Sequence, residues 1–393
     1  MQKKLIVLGA GVYQVPLIDR ARSLGCQTLV VSIPGDYPGF SHADQVFYLN
    51  TRDCEGVLDL AREQHADGIA TTGTDVAVRT IGYVCDHLGL PGVSEHAART
   101  LTDKSLMKQV FAGHVCTSDF RIVHDLDEAR WAAEDLGFPV MVKACDVSGS
   151  RGVTRVDSPQ ELAAAFSSSV SASHTTHYVV ERCVIGTEIG IDAFVKDGRL
   201  QICLPHNKAV WSNRGVTIPA GHSFPFVAGP RTRAAIQEQV EAIVSCTGMD
   251  NCAINSDAMI TPDGGVSIIE AGARCGATCI PELIQLHTGI DYYEQVIRCA
   301  LGEECDFRPT RQNACEARLV FSRKTGTVRS VDLAQLDALR SDRVSISLDV
   351  AAGSHVQEAH DGTDRIGQLI VRDPHAGEVD RLLEQVAACI SVA

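Results

Sequence analysis

Two carboxylates occupy matching places on two segments that predict neighbouring strands. Asp257 lies within Asn255–Ile260, Glu270 ends Val266–Glu270, and the turn Thr261–Gly265 joins the two segments. A Pro-Asp-Gly-Gly turn favours adjacent strands, so we expect the two side chains to lie within reach of each other. Carboxylate oxygens suit Mg²⁺, which keeps several waters and bridges nucleotide phosphates. A pair of solvated strand residues is the alternative interpretation.

A lysine followed by a loop of small residues is a second candidate site. Lys143 ends the apolar segment Pro139–Val142, and Ser148-Gly149-Ser150-Arg151-Gly152 follows shortly after it. The amides of such a loop can surround phosphate oxygens because glycine lets the backbone approach closely, and the ammonium group adds a positive charge. By itself the pattern also fits an ordinary flexible turn.

Two strands that meet at Ile185-Gly186 form a third candidate. The backbone of Glu181, Arg182, Cys183 and Val184 is suited to pair with an adenine edge, and Glu188 is suited to accept hydrogen bonds from ribose hydroxyls. A plain hairpin with surface carboxylates is the alternative.

Polar residues elsewhere are candidates for holding a substrate. Arg274, four residues after Glu270, can bind a phosphate or carboxylate through two parallel hydrogen bonds. The segment His206–Pro225, which includes His206 and His222, is polar and irregular in pattern. It predicts either part of a substrate pocket or a plain surface loop.

Bulk properties exclude several classes of partner. The 393-residue chain has a formal net charge of −14, which disfavours nucleic acid and anionic membranes because both need a basic face. The apolar run Leu5–Leu8 is short and glycines follow it, so it predicts a buried strand rather than a signal peptide. With no predicted export signal, the 15 cysteines are expected to be reduced thiols of a cytoplasmic protein.

The pattern of apolar runs changes along the chain. Through the first hundred residues, short apolar runs alternate with helical patterns, which predicts a parallel sheet covered on both faces. Gly9-Ala10-Gly11 lacks the third glycine of a dinucleotide fingerprint, since Gln14 stands there, so a nicotinamide site is disfavoured. From about Val140 the strands predict antiparallel pairs, and the tail from about Cys315 predicts a small α/β piece.

The order of these segments resembles the ATP-grasp superfamily, in its carboxylate–amine (amino-acid/peptide) ligase branch. Thr102–Met107 resembles the helix that opens the family's central domain, and Asp364–Gly367 resembles a motif of its C-terminal piece. The resemblance implies an α/β ATP-grasp fold: an N-terminal parallel α/β domain, a small central α+β lid and a C-terminal α+β domain with an antiparallel sheet. The implied domains are 1–100, 101–308 with the lid at about 115–190, and 309–393.

The resemblance also implies an ATP-dependent ligase that joins a carboxylate to an amine through an acyl phosphate. The implied cofactors are ATP and Mg²⁺, with Mn²⁺ able to substitute, and the implied partners are small-molecule carboxylates and amines, in particular amino acids. A homodimer is expected by analogy. The implied ATP-binding residues are Lys104, Lys143, Ser148, Gly149, Ser150, Gly152, Glu181, Arg182, Cys183, Val184 and Glu188. Asp257 and Glu270 would carry the metal, Arg274 would be catalytic, and the substrate candidates are Thr74, Asp75, His206, His222, Asn255 and Arg274.

Two departures from the family pattern stand out. Asp257 replaces the more usual glutamate, and Gly272 stands where the family often has asparagine, so Asn255 is a candidate replacement ligand. The rival interpretations are a purine-biosynthetic or carboxylase-type ATP-grasp enzyme, a non-catalytic nucleotide-binding module and a nicotinamide dehydrogenase. A built-in biotin carrier is disfavoured because we find no biotinylation motif.

Overall fold

Strands and helices alternate along the part of the chain described by this computed structural model, residues 2–149, 151–213, 216–360 and 362–393. The strands are β1 (Lys4–Leu8), β2 (Gln27–Ser32), β3 (Gln45–Tyr48), β4 (Gly68–Ala70), β5 (Phe120–Val123), β6 (Val140–Ala144), β7 (Val153–Val156), β8 (Tyr178–Arg182), β9 (Thr187–Lys196), β10 (Arg199–Asn213), β11 (Val216–Phe224), β12 (Cys252–Ile260), β13 (Val266–Gly272), β14 (Cys315–Phe321), β15 (Gly326–Val331), β16 (Val344–Leu348), β17 (His355–Val356), β18 (Arg365–Arg372) and β19 (Ile390–Val392). The helices are α1 (Val15–Ser23), α2 (Cys54–Gln64), α3 (Val78–Leu88), α4 (Glu95–Leu101), α5 (Lys104–Phe111), α6 (Leu126–Leu136), α7 (Leu162–Ala172), α8 (Pro230–Thr247), α9 (Ile280–Thr288), α10 (Tyr292–Ala300), α11 (Leu333–Leu339) and α12 (Glu378–Ala388).

The chain divides into two compact units, each made of three separate stretches of sequence. The first unit is Met1–Pro205, Ala228–Gly276 and Tyr293–Phe307, and the second is His206–Val227, Ala277–Tyr292 and Arg308–Ala393. The expected boundaries at 100 and 308 stay predictions. In the described part of the chain, no helix combines the length and the apolar character that crossing a bilayer requires.

A parallel sheet opens the first unit, as the alternating pattern predicts. Its strand order is β3-β2-β1-β4, and every pair is parallel. The β1 residues Leu5–Leu8 are fully buried because helices cover the sheet. Helix α2 begins where the Asp53 side chain accepts a hydrogen bond from the Gly56 amide at 3.0 Å.

Gln14 occupies the turn after β1 in the place of the missing glycine. Its side-chain oxygen accepts a hydrogen bond from the Gly11 amide at 2.9 Å, and its nitrogen donates to the Thr72 carbonyl at 2.5 Å. The turn therefore uses one of its amides internally, where a dinucleotide site would leave room for a phosphate.

A second sheet of the first unit lies within the expected lid segment. Its order is β5-β8-β6-β7, with each pair antiparallel. Helices α6 and α7 pack on it around a core that includes Val140, Val142 and Val180, all fully buried. The alternation of buried valines along β6 leaves Met141 and Lys143 on the opposite face of this sheet.

The third sheet segment of the first unit carries the paired carboxylates. β12 lies between β9 and β13, and both pairings are antiparallel. Helix α8 contacts β13. Mixed parallel and antiparallel sheets of this kind confirm the predicted fold class.

The second unit contains an antiparallel sheet in the order β11-β14-β18-β16, as expected for the C-terminal piece. Helix α12 contributes Val386 to a core that also contains Leu369 and Val371. The irregular segment expected at His206–Pro225 is wrong, because β10 and β11 pair in antiparallel register across most of it. A bulge between Ala209 and Val210 interrupts the two-residue alternation, which hides the strand in the sequence.

Candidate functional site

One cavity of the first unit collects most of the charged residues in the candidate set. Its volume is about 630 Å³, which is ample for a nucleotide or a small substrate. The cavity is lined by Arg52, Asp53, Cys54, Glu55, Asp75, Val76, Arg79, Thr80, Arg99, Leu101, Thr102, Asp103, Lys104, Leu106, Met107, Cys145, Asp146, Val147, Ser148, Arg151, His174, Thr175, Asn255, Asp257, Glu270, Ala271, Gly272 and Arg274. The predicted residues Asp75, Lys104, Ser148, Asn255, Asp257, Glu270 and Arg274 therefore meet at one place.

Asp257 and Glu270, here called the carboxylate pair, stand directly opposite each other. They are register partners on β12 and β13, and both are half-buried at the cavity wall. Directly opposed residues of an antiparallel pair project to the same face of the sheet. The Ser256 hydroxyl fixes the backbone beside them by donating to the Glu270 carbonyl at 2.7 Å.

Lys104 connects the carboxylate pair to the small-residue loop. Its Nζ donates to the Val147 carbonyl at 2.6 Å and lies 3.5 Å from a Glu270 oxygen. Helix α5 holds this lysine in place, since Asp103 caps the helix by accepting from the Ser105 amide at 2.8 Å. Burial opposes the charged form of Asp103, but hydrogen bonds from Ser105 and His177 hold the pKa of its carboxyl below the ordinary value.

Glu181, Lys108 and Lys143 form a buried ion cluster beside the cavity. Glu181 pairs with Lys143, and its other oxygen lies 2.6 Å from the Lys108 ammonium. Burial would raise the pKa of Glu181, but the two ammonium groups outweigh it and lower that pKa to about 2. Lys143, predicted to contact ATP phosphates, is almost fully buried and is held by this carboxylate.

Lys108 has its pKa lowered by burial, which Glu181 only partly offsets. The ammonium of Lys143 has a raised pKa: burial lowers it, but the Glu181 and Glu270 carboxylates together outweigh burial. The field of Glu270 therefore reaches Lys143, which links the buried ion cluster electrostatically to the carboxylate pair.

Arg274 is tied to the protein by a set of hydrogen bonds. Its Nε and Nη2 donate to the two oxygens of Asp75 at 2.8 and 2.9 Å, and Nη1 donates to the Asn255 side chain at 2.5 Å and more weakly to the Cys275 carbonyl at 3.4 Å. Burial lowers the pKa of Arg274, but Asp75 more than compensates and raises it above the ordinary value. A guanidinium has five N–H groups, so four of them are already directed at protein acceptors.

Gly272 makes room for this arrangement. A Cβ atom at position 272 would lie 2.8 Å from an Asp75 oxygen, which is closer than real contacts allow. The glycine that departs from the family pattern thus lets Asp75 reach Arg274.

The side-chain amide of Asn255 forms hydrogen bonds with both Arg274 and Asp192. Its nitrogen donates to an Asp192 oxygen at 3.0 Å, while the other Asp192 oxygen accepts from the Gly276 amide at 2.9 Å. Both ends of the Asn255 side chain are therefore used within the protein. Its role as a replacement metal ligand gains no support from these contacts and stays a prediction.

The remaining nucleotide candidates lie on or near the second and third sheets of the first unit. Gly152 adopts φ of +61°, and a Cβ there would lie 2.7 Å from the Ala172 Cβ, so both conformation and packing require glycine. Gly149 has φ of +71°. Ser150 lies outside the described residues. Along the hairpin, Cys183 and Val184 are half-buried, while Arg182 and Glu188 are exposed.

Among the substrate candidates, Thr74 is half-buried and directly precedes Asp75. His206 and His222 belong to the second unit, where both are buried and their rings meet edge to face at 4.7 Å. Burial lowers the pKa of His222 well below its ordinary value, which keeps this ring neutral at pH 7. The roles of these three residues stay predictions.

Two protein-family models match separate parts of the chain. Residues 136–282 match the model of the ATP-grasp domain, and residues 318–393 match the L-amino acid ligase C-terminal domain 2.

The chain contains an ATP-grasp domain.

Three known proteins are similar to this chain over most of its length. Phosphoribosylglycinamide synthetase from Anaerococcus prevotii is similar over the full length of both chains, with 26% identity and a TM-score of 0.81. L-amino acid ligase from Bacillus licheniformis has the same fold, with 20% identity and a TM-score of 0.80 over 100% of this chain and 98% of that one. Alanine–anticapsin ligase from Bacillus subtilis is 24% identical over 68% of this chain, and the match spans 62% of that relative.

ATP-grasp enzymes use ATP and a divalent metal, and the carboxylate pair fits such an ion. Its donors are hard oxygens on two rigid, neighbouring strands, half-buried at a cavity large enough for a nucleotide. The shorter side chain of Asp257 stands opposite Glu270, next to a bulge between Asp257 and Ala258 that alters the local spacing.

Sequence reasoning missed several charged residues of this region. Lys108 follows Met107 on α5, and both are buried together with Phe111. A lysine on the apolar face of a helix was a signal that a buried carboxylate must exist nearby. The arginines Arg52, Arg79 and Arg99 of the cavity gave no such signal, because each has the sequence context of an ordinary surface residue.

Proposed function

We propose that this protein joins a carboxylate to an amine in an ATP-dependent reaction, forming an amide or peptide bond and releasing ADP and phosphate. The observation that carries the proposal is the meeting of Lys104 with the carboxylate pair in one large cavity of an ATP-grasp chain.

The chemistry explains why such residues are needed. A carboxylate is a poor acyl donor because oxide is a poor leaving group, whereas an acyl phosphate offers phosphate instead. Phosphoryl transfer requires that negative oxygens approach each other, so the protein must align them and offset their charge. Asp257 and Glu270 would hold Mg²⁺, which supplies charge neutralisation at phosphate oxygens when bound. Lys104 adds a positive charge beside them, and the loop at 148–153 supplies backbone amides.

We propose that the buried ion cluster fixes the position of a positive charge beside the phosphate site. Glu181 anchors Lys143 on the face of β6 opposite the valine core, so this ammonium cannot swing into solvent. A positive charge that is fixed before substrate binds costs no reorganisation when negative charge develops nearby.

Amino acids are the proposed substrates. Two observations support them: the match of residues 318–393 to an L-amino acid ligase domain and the similarity to alanine–anticapsin ligase. A purine-biosynthetic ligase is the second candidate, favoured by the full-length similarity to phosphoribosylglycinamide synthetase. No disulfide joins the 15 cysteines, all of which lie in the described part of the chain, and this supports the proposed cytoplasmic location.

A substrate screen tests the proposal. The full chain is incubated with ATP, Mg²⁺ and pairs drawn from the common amino acids, with a parallel series that contains phosphoribosylamine and glycine. ADP release and the mass of the product are measured. ADP release that requires an amino-acid pair, with a product heavier than either partner, supports the amino-acid assignment; release only with phosphoribosylamine and glycine supports the second candidate. ATP binding without carboxylate-dependent ADP release in any series would contradict ligase activity.

A further inference from the structure

Three arginines of the cavity offer positive charge that the protein itself does not use. Arg52 directly precedes the cap of α2, Arg79 lies in the first turn of α3, and Arg99 lies in α4. All three are exposed and line the cavity, and in the described part of the chain their guanidinium groups have no hydrogen-bond or ion-pair partner. The cavity also contains carboxylates, so what distinguishes these three arginines is that their guanidinium groups are not engaged by the described part of the protein.

The neighbouring carboxylates Asp53 and Glu55 are oriented by other partners and form no ion pair with these arginines in the described part of the chain. Asp53 accepts from the Gly56 amide at 3.0 Å, and Glu55 accepts from the Tyr83 hydroxyl. The packing of α3 against its neighbours α2 and α4 brings the three arginines to one cavity although they are distant in sequence.

Arg274 is poorly suited to bind a substrate anion in this structure. Asp75, Asn255 and the Cys275 carbonyl already accept from four of its five N–H groups, so one is left. A carboxylate or phosphate that needs a bidentate partner would have to displace Asp75. The exposed arginines offer intact guanidinium groups in the same cavity without that cost.

We infer that Arg52, Arg79 and Arg99 form an anion-recognition face that selects a substrate with an anionic group besides the reacting carboxylate, either a phosphate ester or a second carboxylate. The inference rests on the proposed function and assigns the class of substrate. Both anions present paired oxygens to which a guanidinium donates two parallel hydrogen bonds, so the two classes share one recognition chemistry.

Binding measurements without turnover test the face separately from the reaction. Calorimetry on the full chain, saturated with ADP and Mg²⁺, compares O-phospho-L-serine with L-serine and L-aspartate with L-asparagine. We expect the wild-type protein to bind at least one anionic probe about tenfold or more tightly than its neutral counterpart. Arg79→Gln should remove about tenfold of that preference, and the triple variant with Arg52→Gln and Arg99→Gln should abolish it.

Arg62→Gln is the matched control, because Arg62 is an exposed α2 arginine that pairs with Asp59 and does not line the cavity. It should bind every probe as the wild type does. The inference is overturned if neither anionic probe is preferred, if the preference survives in the triple variant, or if the probes bind only in a parallel titration without ADP, which would assign the arginines to the nucleotide.

The two proposals fail in different ways. A preference for anions that the arginine variants abolish, without ADP release from any substrate pair, would contradict the ligase and leave the anion-recognition face standing. Turnover of neutral amino acids with no preference for anions would contradict the anion-recognition face and leave the ligase activity standing.

Discussion

The buried ion cluster and the carboxylate pair lie in the same unit but differ in how their charges are compensated. Glu181 is almost fully buried and is paired with Lys108 and Lys143. Asp257 and Glu270 are half-buried at a cavity wall, and the ammonium of Lys104 lies 3.5 Å from Glu270. Charges removed from water must be compensated within the protein, whereas charges at a cavity can be compensated by a ligand. The difference predicts that removing a charge lowers stability most at the buried ion cluster, whereas at the carboxylate pair it lowers turnover with little loss of stability.

Removing the acid of the buried ion cluster should have the largest effect on stability. Glu181→Gln leaves two buried ammonium groups without a counter-charge, so we expect the free energy of unfolding to fall by about 3–5 kcal/mol. Urea denaturation followed by circular dichroism measures it. Glu134→Gln, an exposed acid on α6, is the control and should change stability by less than about 0.5 kcal/mol. Equal stability of the two variants would show that the cluster is not a structural element.

Removing one acid of the carboxylate pair should instead affect turnover. Asp257→Asn keeps the shape but lowers the charge facing a divalent ion, so ADP release should fall by about 100-fold or more. Its unfolding free energy should stay within about 1 kcal/mol of wild type, since the residue is only half-buried. Asp263→Asn, in the turn that joins the same two strands, is the matched control and should keep normal turnover. Normal turnover in Asp257→Asn would remove this residue from the site.

Arg274 stands between these two cases, because it lines the cavity and yet is paired inside the protein. Asp75→Asn should lower the unfolding free energy by about 1–3 kcal/mol, since a neutral amide replaces one charged, bidentate partner. Gly272→Ala should lower it as well, because the new Cβ would lie 2.8 Å from Asp75. Thermal unfolding of Gly272→Ala in the wild-type background and in an Asp75→Ala background, which lacks the atom that the new Cβ would meet, measures the coupling. If the Gly272→Ala loss persists undiminished in Asp75→Ala, the glycine does not act through Asp75.

At low pH the buried ion cluster should no longer stabilise the folded protein. The pKa of Glu181 is lowered from 4.5 to about 2, so its stabilising contribution is fully present above about pH 4.5 and is lost as pH falls toward 2. The stability gap between wild type and Glu181→Gln should therefore shrink across that window. Urea titrations at stepwise pH values test this, and a gap that stays constant from pH 5 to pH 2.5 would contradict the assigned pKa shift.

Local sequence patterns predicted the fold class and the long-range order of elements. The alternation of apolar runs with helical patterns predicted the parallel sheet, and the Pro-Asp-Gly-Gly turn predicted the pairing of Asp257 with Glu270. Helix α7 was missed because three consecutive serines, Ser167–Ser169, interrupt its apolar pattern and are weak helix formers. Strand β11 was missed because Pro219 and the bulge in β10 mask alternation.

Many residues of the candidate site could be named from the sequence, but the contacts between them could not. Lys104, Asp257 and Glu270 belong to recognisable segments, and the structure brings them to one cavity. The pairing of Asp75 with Arg274 spans 199 residues, and that of Lys108 with Glu181 spans 73, so no local pattern reports either one. The exposed arginines on separate segments likewise carry no sequence signal until packing shows that they share a cavity.

Isotope transfer from the substrate carboxylate tests the central claim most directly. The carboxylate of an accepted amino acid is labelled with ¹⁸O, the reaction is run with ATP, Mg²⁺ and an amine partner, and the released phosphate is analysed by mass spectrometry. If the carboxylate attacks the γ-phosphorus and the amine then expels phosphate, each released phosphate carries one ¹⁸O atom from the substrate. Phosphate free of label, formed at the same rate as the amide product, would contradict activation through an acyl phosphate.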